Sequence, residues 1–136
     1  MATRVFVDTA TWIALINTSD EFHAPARQVM GELRSQKTSL VTTEFNFLEV
    51  ADALSAPSFR TRTVSFLDGL RQIQILQIIP ASTGLLAEGW ALYREREDKE
   101  WGLTDCISFA VMKRERITRA ITTDRHFEQA GYTKLI

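Results

Sequence analysis

Apolar residues follow two alternating spacings along the chain: short continuous runs, and segments in which they recur every three or four positions. The short runs are rich in β-branched residues and predict strands. They cover about Arg4–Val7, Ser39–Thr42, Ile73–Ile79, Ala120–Thr123 and Tyr132–Leu135. Strands that alternate with helices predict a mostly parallel sheet covered by helices on both faces. We therefore expect an α/β fold with a central sheet of about four or five strands.

Segments with helical spacing lie between these runs. The residues expected to face the core of the longer helices are Ala26, Val29, Met30 and Leu33; Phe47, Val50, Ala51 and Leu54; Val64, Phe66, Leu67 and Leu70; and Leu85, Leu86, Trp90 and Tyr93. The last group belongs to a helix predicted over Thr83–Glu97. A buried helix is expected to begin near Asp105, and short helices follow the first strand and Asp124.

The length and composition fit one globular domain covering residues 1–136. No apolar stretch approaches the roughly 20 residues that span a bilayer, and the first residues resemble a strand rather than a signal peptide. Cys106 is the only cysteine, which excludes an internal disulfide and a cysteine-rich zinc site. A chain without disulfides suits a reducing compartment, so we expect a cytoplasmic protein.

Four acidic residues stand at the ends of strands or near the starts of helices in separate parts of the chain. They are Asp8, Glu49, Asp105 and Asp124. In a parallel α/β sheet these places lie outside the carboxyl ends of the strands, where such folds bind ligands. Four carboxylates gathered there repel one another strongly unless a cation lies between them. The pattern predicts a divalent-metal site.

Each aspartate of this set also has a purely structural interpretation. Asp8 can cap the helix that follows it, and Asp124 is a favoured N-cap residue. Asp105 gains from the helix dipole in the first turn of its helix. No single aspartate decides between the two interpretations, and the joint placement of all four acids favours the metal site.

Glu49 is preferred to Glu44 as a ligand on helix geometry. The two glutamates are five residues apart, about 140° around a helix, so both cannot point into one small site. Glu44 lies in the first turn, where an acid is favoured by the dipole. Glu44 and Asp52 are kept as candidates for supporting roles around the ligands.

The type of ligand predicts the type of ion. Carboxylates without histidine or thiol partners select hard cations, so Mg²⁺ or Mn²⁺ is expected, as one ion or two. Such ions act well on phosphates. The chain carries a net charge of −1, so the part outside the four acids carries +3. Arginines suit phosphate, although each is also an ordinary residue of solvated helix faces; they include Arg60, Arg62, Arg71, Arg94, Arg96, Arg114, Arg116, Arg119 and Arg125.

Two residues next to Asp124 are candidates for contact with substrate. Arg125 and His126 follow it directly and can reach a substrate phosphate, although a local capping or packing role is the alternative for His126. No chemistry is assigned to His23. Cys106 is expected to be a small buried hydrophobic residue, because its thiolate is disfavoured beside so many acids.

Four segments resemble the motifs of PIN-domain ribonucleases, and the resemblance covers nearly the whole chain. The segments are Val5-Phe6-Val7-Asp8-Thr9, Thr42-Thr43-Glu44-Phe45-Asn46-Phe47-Leu48-Glu49, Leu103-Thr104-Asp105-Cys106-Ile107-Ser108-Phe109-Ala110 and Ile121-Thr122-Thr123-Asp124-Arg125-His126-Phe127. The family's acidic residues fall on Asp8, Glu49, Asp105 and Asp124. Thr9 and Thr104 match its supporting hydroxyls. Asp52 is a departure, since similar sequences often carry asparagine there, and it adds a charge near the site.

As a single short domain, the chain is similar to VapC-type toxins of bacterial toxin–antitoxin pairs. The resemblance implies endonucleolytic cleavage of RNA that depends on Mg²⁺ or Mn²⁺. It also implies a homodimer and a small antitoxin, of which a basic side chain or an extended segment enters the acidic cleft.

Three other functions stay open from the sequence. One is a PIN nuclease that processes RNA outside any toxin pair. Another is a phosphatase that forms an aspartyl-phosphate, although Asp8 is followed by no second acid two residues later. The third is a metal-stabilised module that binds RNA or protein without turnover. A complete acidic set argues against this third reading, because clustered negative charge without a function only destabilises a fold.

Overall fold

The computed structural model describes residues 3–136, whose five parallel strands form one sheet. The strands are β1 (Arg4–Val7), β2 (Ser39–Thr43), β3 (Leu76–Ile79), β4 (Arg119–Ile121) and β5 (Thr133–Lys134). Their order across the sheet is β3-β2-β1-β4-β5. The predicted α/β class and number of strands are confirmed.

Within residues 3–136, seven helices cover the two faces of this sheet. They are α1 (Thr9–Ile16), α2 (His23–Ser35), α3 (Glu44–Ala53), α4 (Pro57–Leu70), α5 (Thr83–Glu95), α6 (Leu103–Arg114) and α7 (His126–Gln129). Because side chains of a strand alternate between faces, Val5 and Val7 of β1 pack under α1 to α4. Phe6 packs on the opposite side, under α5 to α7. No helix in residues 3–136 is long and apolar enough to cross a membrane.

The strand order places a crevice at the carboxyl end of β1. The chain runs outward from β1 through β2 to β3, and β4 then pairs with the other side of β1. Ligands of open α/β sheets bind where the order reverses in this way. The Asp8 amide donates a hydrogen bond of 3.1 Å to the carbonyl of Ile121, and Thr11 Oγ1 donates one of 2.8 Å to the same oxygen. These bonds hold the ends of β1 and β4 together.

Strand β3 begins three residues later than the predicted Ile73–Ile79. The residues before it form turns that end α4, since the Ile73 amide donates to the Leu70 carbonyl at 3.2 Å and the Leu76 amide donates to the Ile73 carbonyl at 3.2 Å. Pairing with β2 starts at Leu76, opposite Leu40. Local turn hydrogen bonds therefore override the β-propensity of Ile73.

Three residues of α5 that were predicted to face the core are exposed instead. Leu86, Trp90 and Tyr93 are 42%, 46% and 46% exposed. Helix α5 packs against α6 through another side, where Gly89 is buried and a Cβ on it would lie 3.1 Å from the backbone of Ile107. The glycine lets the two helices approach closely, and this turns the larger apolar stripe outward.

The core faces predicted for α3 and α4 each contain one exposed residue. Ala51 is exposed, and Val64 is 55% exposed. Val50 and Leu70, which belong to the same predicted faces, are buried as expected. In both helices the buried stripe is narrower than the apolar pattern predicts.

Candidate metal centre

Asp8 follows the central strand and its side chain is only 4% exposed. Burial raises the pKa of Asp8 from 3.8 to about 7, and the nearby carboxylates of Asp105 and Glu49 add to the rise, while a hydrogen bond from Thr122 opposes it. That bond runs from Thr122 Oγ1 to Asp8 Oδ2 at 2.9 Å. The residue occupies the N-cap position of α1, yet its side chain makes no capping hydrogen bond. A capping role in α1 therefore does not explain why a carboxylate is buried at this position.

Asp105 lies in the first turn of α6, and one of its oxygens lies against the Gly102 amide and the His126 ring. Its Oδ2 accepts from the Gly102 amide at 3.2 Å and lies 3.0 Å from His126 Nδ1. Burial raises the pKa of Asp105, and Asp124 adds to that rise against the hydrogen bond to His126. Asp105 therefore both caps the start of α6, through the Gly102 amide, and belongs to the acidic cluster. The neighbouring Thr104 is half-buried, and Cys106 is a buried free thiol.

Asp124 and His126 complete a compact group with Asp105. Asp124 Oδ1 accepts from the backbone amide of His126 at 2.9 Å and lies 3.2 Å from His126 Nδ1. One ligand atom from each of the three residues lies within 4.8 Å of the others, a spacing that can hold a metal ion. The ring of His126 thus contacts two carboxylates, which the sequence pattern did not reveal. The one hint in the sequence is the position of His126, two residues after Asp124 and at the start of a short helix.

The two glutamates of α3 have different environments. Glu44 accepts hydrogen bonds of 2.9 Å from the Ala81 amide and 3.1 Å from Arg71, and these bonds lower its pKa. Glu49 is exposed and lies near enough to Asp8 to raise the pKa of that carboxyl. Asp52 is exposed further along the same helix. Of these three acids, only Glu49 raises the pKa of the buried Asp8. Glu49 therefore stays the predicted fourth ligand.

A buried asparagine ties together the elements that carry the acids. Asn46 Oδ1 accepts from the amide and the hydroxyl of Thr43 at 3.2 and 2.7 Å. Its Nδ2 donates to Thr9 Oγ1 at 3.1 Å and to Ser108 Oγ at 3.5 Å. The network joins β2 and α3 to the start of α1 and to the middle of α6. The Thr-x-x-Asn spacing resembles a capping box and was the available signal for this role.

Thr122 links two of the acids and was also not among the predicted residues. It donates to Asp8, as described above, and its Oγ1 accepts from the Asp124 amide at 3.0 Å. The side chain is fully buried at the end of β4. It therefore fixes the position of Asp124 relative to Asp8.

The charges of this cluster fit a divalent cation. Across residues 3–136, none of Asp8, Glu49, Asp105 and Asp124 forms an ion pair with lysine or arginine, and the only ion pairs of the cluster involve His126. Buried carboxylates without a cationic partner destabilise a fold unless they bind a metal or a proton. Oxygen donors with one imidazole are ligands that divalent metals accept.

Comparison with known proteins identifies the family. The family model for the PIN domain matches residues 5–131. The chain belongs to the PIN domain family. This PIN domain is 26% identical over 131 residues to the 23S rRNA-specific endonuclease VapC20 of Mycobacterium tuberculosis, with 96% of this chain and 97% of the relative covered. The predicted family is therefore confirmed, and with it the similarity to VapC-type toxins.

Solved structures agree with this assignment. The crystal structure of M. tuberculosis VapC20, described as a sarcin-ricin loop cleaving toxin, superimposes with a TM-score of 0.82 at 25% identity, covering 95% of this chain and 96% of that one. VapBC2 from Rickettsia felis bound to a promoter DNA fragment has a TM-score of 0.71 at 16% identity, with 97% of each chain covered. FitAcB from Neisseria gonorrhoeae has a TM-score of 0.65 at 14% identity, covering 96% of this chain and 95% of that one. The last two establish the shared fold. The PIN domain is thus a homologue of endonuclease toxins.

Proposed function

We propose that the protein is an endoribonuclease that uses Mg²⁺ or Mn²⁺ to hydrolyse phosphodiester bonds in RNA. The observation that carries the proposal is the cluster of acids at the carboxyl ends of β1 and β4, which has no lysine or arginine partner in residues 3–136. PIN nucleases use divalent metals, and the donor set suits one. A bound cation supplies charge neutralisation at the scissile phosphate and activation of water.

The residues of the cluster have different roles in the proposed reaction. Asp105 and Asp124 would hold the cation together with Asp8, which is the buried member of the three. Glu49 is exposed and orients the attacking water by accepting its hydrogen bond. Arg125 is exposed beside Asp124 and contacts the phosphate backbone of the RNA. Thr9, Thr104 and Thr122 keep the ligands in position.

The proposed biological role is that of a toxin restrained by an antitoxin. The relative with 26% identity is named as a 23S rRNA-specific endonuclease, so ribosomal RNA is the substrate class to examine first. A partner with a basic side chain or extended segment suits the cleft, because the acids there lack arginine and lysine partners in residues 3–136. RNA processing outside a toxin pair is the second candidate role.

The exposed stripe of α5 supports the proposed homodimer. Leu86, Trp90 and Tyr93 occupy one side of the helix, and the rings of Trp90 and Tyr93 stack at a centroid distance of 5.5 Å. Contiguous exposed apolar residues mark interaction surfaces, and aromatic residues are enriched at their centres. We propose that a second copy of the chain covers this stripe.

We expect Trp90→Glu to convert the protein from a dimer to a monomer. A buried charge in place of a central aromatic residue costs at least about 2 kcal/mol, or roughly 30-fold in dissociation constant. Light scattering after gel filtration measures the mass at several concentrations. Val64→Glu is the control, because Val64 is also exposed but lies on α4. A dimer that survives Trp90→Glu, or a monomeric wild-type protein, contradicts this interface.

Metal-dependent cleavage of RNA is the experiment that tests the function. The purified protein is incubated with a sarcin-ricin hairpin, a set of transfer RNAs, the hairpin sequence as DNA, and a chromogenic phosphate monoester. We expect cleavage of RNA at one or a few positions, loss of cleavage in EDTA, and recovery with added Mn²⁺ or Mg²⁺. RNA that is bound in EDTA but never cut indicates a binding module. Hydrolysis of the monoester alone indicates a phosphatase.

A further inference from the structure

His126 holds its ring nitrogen where a cation ligand would stand. Nδ1 is 3.0 Å from Asp105 Oδ2 and 3.2 Å from Asp124 Oδ1. Ligands at adjacent corners of an octahedron of radius about 2.1 Å lie roughly 3.0 Å apart. The nitrogen therefore has the separations from both oxygens that adjacent ligands of one ion show.

The position of the ring is fixed by its surroundings. The His126 amide donates to Asp124 Oδ1 at 2.9 Å, which holds the backbone beside the cluster. The next residue, Phe127, is fully buried and packs on Phe109 at a centroid distance of 4.9 Å and on Phe6 at 6.3 Å. This anchor prevents α7 from moving away from α6, so the imidazole stays at the two carboxylates.

We infer that His126 is a nitrogen ligand of the catalytic cation and that it makes the centre bind Mn²⁺ in preference to Mg²⁺. The inference rests on the proposed metal-dependent function and specifies its ion. Mg²⁺ prefers oxygen ligands and keeps several waters. Mn²⁺ also accepts carboxylates, and as a first-row transition metal it gains more from an imidazole nitrogen than Mg²⁺ does. To bind the ion, Nδ1 carries no hydrogen and Nε2 carries it.

A structural role for His126 is the competing explanation. In that case Nδ1 donates a hydrogen bond to Asp105 and orients it, without touching the ion. The two explanations differ in one observable, the presence of a direct bond between nitrogen and metal. An experiment that reads the bond itself separates them, while loss of activity in a variant does not.

Pulsed electron paramagnetic resonance of the Mn²⁺-loaded protein tests the bond directly. We expect a modulation from a directly coordinated ¹⁴N nucleus in the wild-type protein and none in His126→Gln. The chain contains two histidines, so His23→Gln is the matched control and is expected to keep the modulation. Its ring binds the Ala14 carbonyl at 2.7 Å, away from the cluster. Absence of the ¹⁴N signal in wild type, or its persistence in His126→Gln, overturns the inference.

Titration calorimetry with each metal alone gives the second measurement. We expect His126→Gln to weaken Mn²⁺ binding by about 10- to 100-fold and Mg²⁺ binding by less than about threefold, because Mg²⁺ gains little from nitrogen. Equal losses for both ions contradict the stated preference. If the protein cleaves RNA with bound Mn²⁺ but shows no ¹⁴N coupling, the inference about His126 is wrong and the proposed function stands. A protein that binds neither ion removes the proposed function as well.

Discussion

Asp8→Asn is expected to abolish RNA cleavage and, at the same time, to stabilise the metal-free protein. A ligand of a catalytic cation contributes several kcal/mol to stabilisation of the transition state. We therefore expect kcat/KM to fall by roughly 10³-fold or more. Asparagine has nearly the same shape and can still accept the hydrogen bond from Thr122 Oγ1. The fold is therefore retained while the negative charge is removed.

The stabilisation follows from the burial of Asp8. The pKa of this carboxyl is raised to about 7, with burial as the largest cause, which means that its charged form is unfavourable in the metal-free protein. A neutral amide removes that cost. Loss of activity through misfolding would instead lower the stability, so the two readouts together distinguish a ligand from a merely structural residue.

Cleavage rates and urea unfolding in EDTA measure the two effects on the same preparations. Asp68→Asn is the control, because Asp68 is an exposed aspartate of α4 outside the cluster, and it should leave both quantities unchanged. If Asp8→Asn cut RNA at the normal rate with added Mg²⁺, the assignment of Asp8 as a ligand would be wrong. A variant that is inactive and also less stable points to a structural role.

The position of the acids is the part of the site that a sequence discloses well. Parallel strands end at one edge of the sheet, so residues that follow β1 and β4 converge whatever the details of packing. Asp8 and Asp124 are placed by this rule, and Asp105 is placed by the start of α6. The alternation of strand and helix patterns located every strand end to within two residues, apart from the start of β3, which lies three residues later than predicted.

The supporting network is harder to foresee, because it depends on distances between elements far apart in the chain. Asn46 and Ser108 are 62 positions apart, yet their side chains meet at 3.5 Å. Thr122 and Asp8 are 114 positions apart and meet at 2.9 Å. Local spacing indicates a capping box formed by Thr43 and Asn46, but it does not indicate which neighbouring helix the Asn46 amide reaches.

The orientation of α5 shows a second limit. Its apolar residues form two stripes, and periodicity alone does not say which one faces the core. The side of α5 that contains Gly89 faces α6, because a glycine opposite Ile107 lets the two helices approach more closely than a residue with a side chain would. The larger stripe is then exposed, so the failed expectation for Trp90 is the observation behind the proposed dimer interface.

The metal-free protein is expected to lose stability as the pH rises from about 5 to 7.5, and metal is expected to reverse this trend. The folded pKa of Asp8 is raised to about 7, against 3.8 in the unfolded chain. A raised pKa contributes stability that is present below the unfolded value and is lost as the pH rises through the folded value. The raised pKa of Asp105 acts in the same direction. For Asp8 alone the full change is at most roughly 4 kcal/mol.

Bound metal changes the sign because it binds the charged carboxylates. Its affinity increases as the acids lose their protons, and it stabilises the folded state by mass action. Urea unfolding at about pH 5 and 7.5, in EDTA and with saturating Mn²⁺, gives the four free energies of unfolding that are needed. The window lies above the titration of Glu44 and Asp98, whose pKa values are lowered, so these acids do not contribute to the slope.

Asp8→Asn separates the contribution of this carboxyl from that of every other group. We expect the variant to show a smaller loss of stability with pH in EDTA and a weaker stabilisation by Mn²⁺, because both effects require the charge at this position. Equal slopes for the variant and the wild-type protein in EDTA would show that the buried carboxyl is not the group that titrates. A wild-type protein that gains stability with pH in EDTA would show that the acids are already compensated without a metal, which contradicts the charge balance of the cluster.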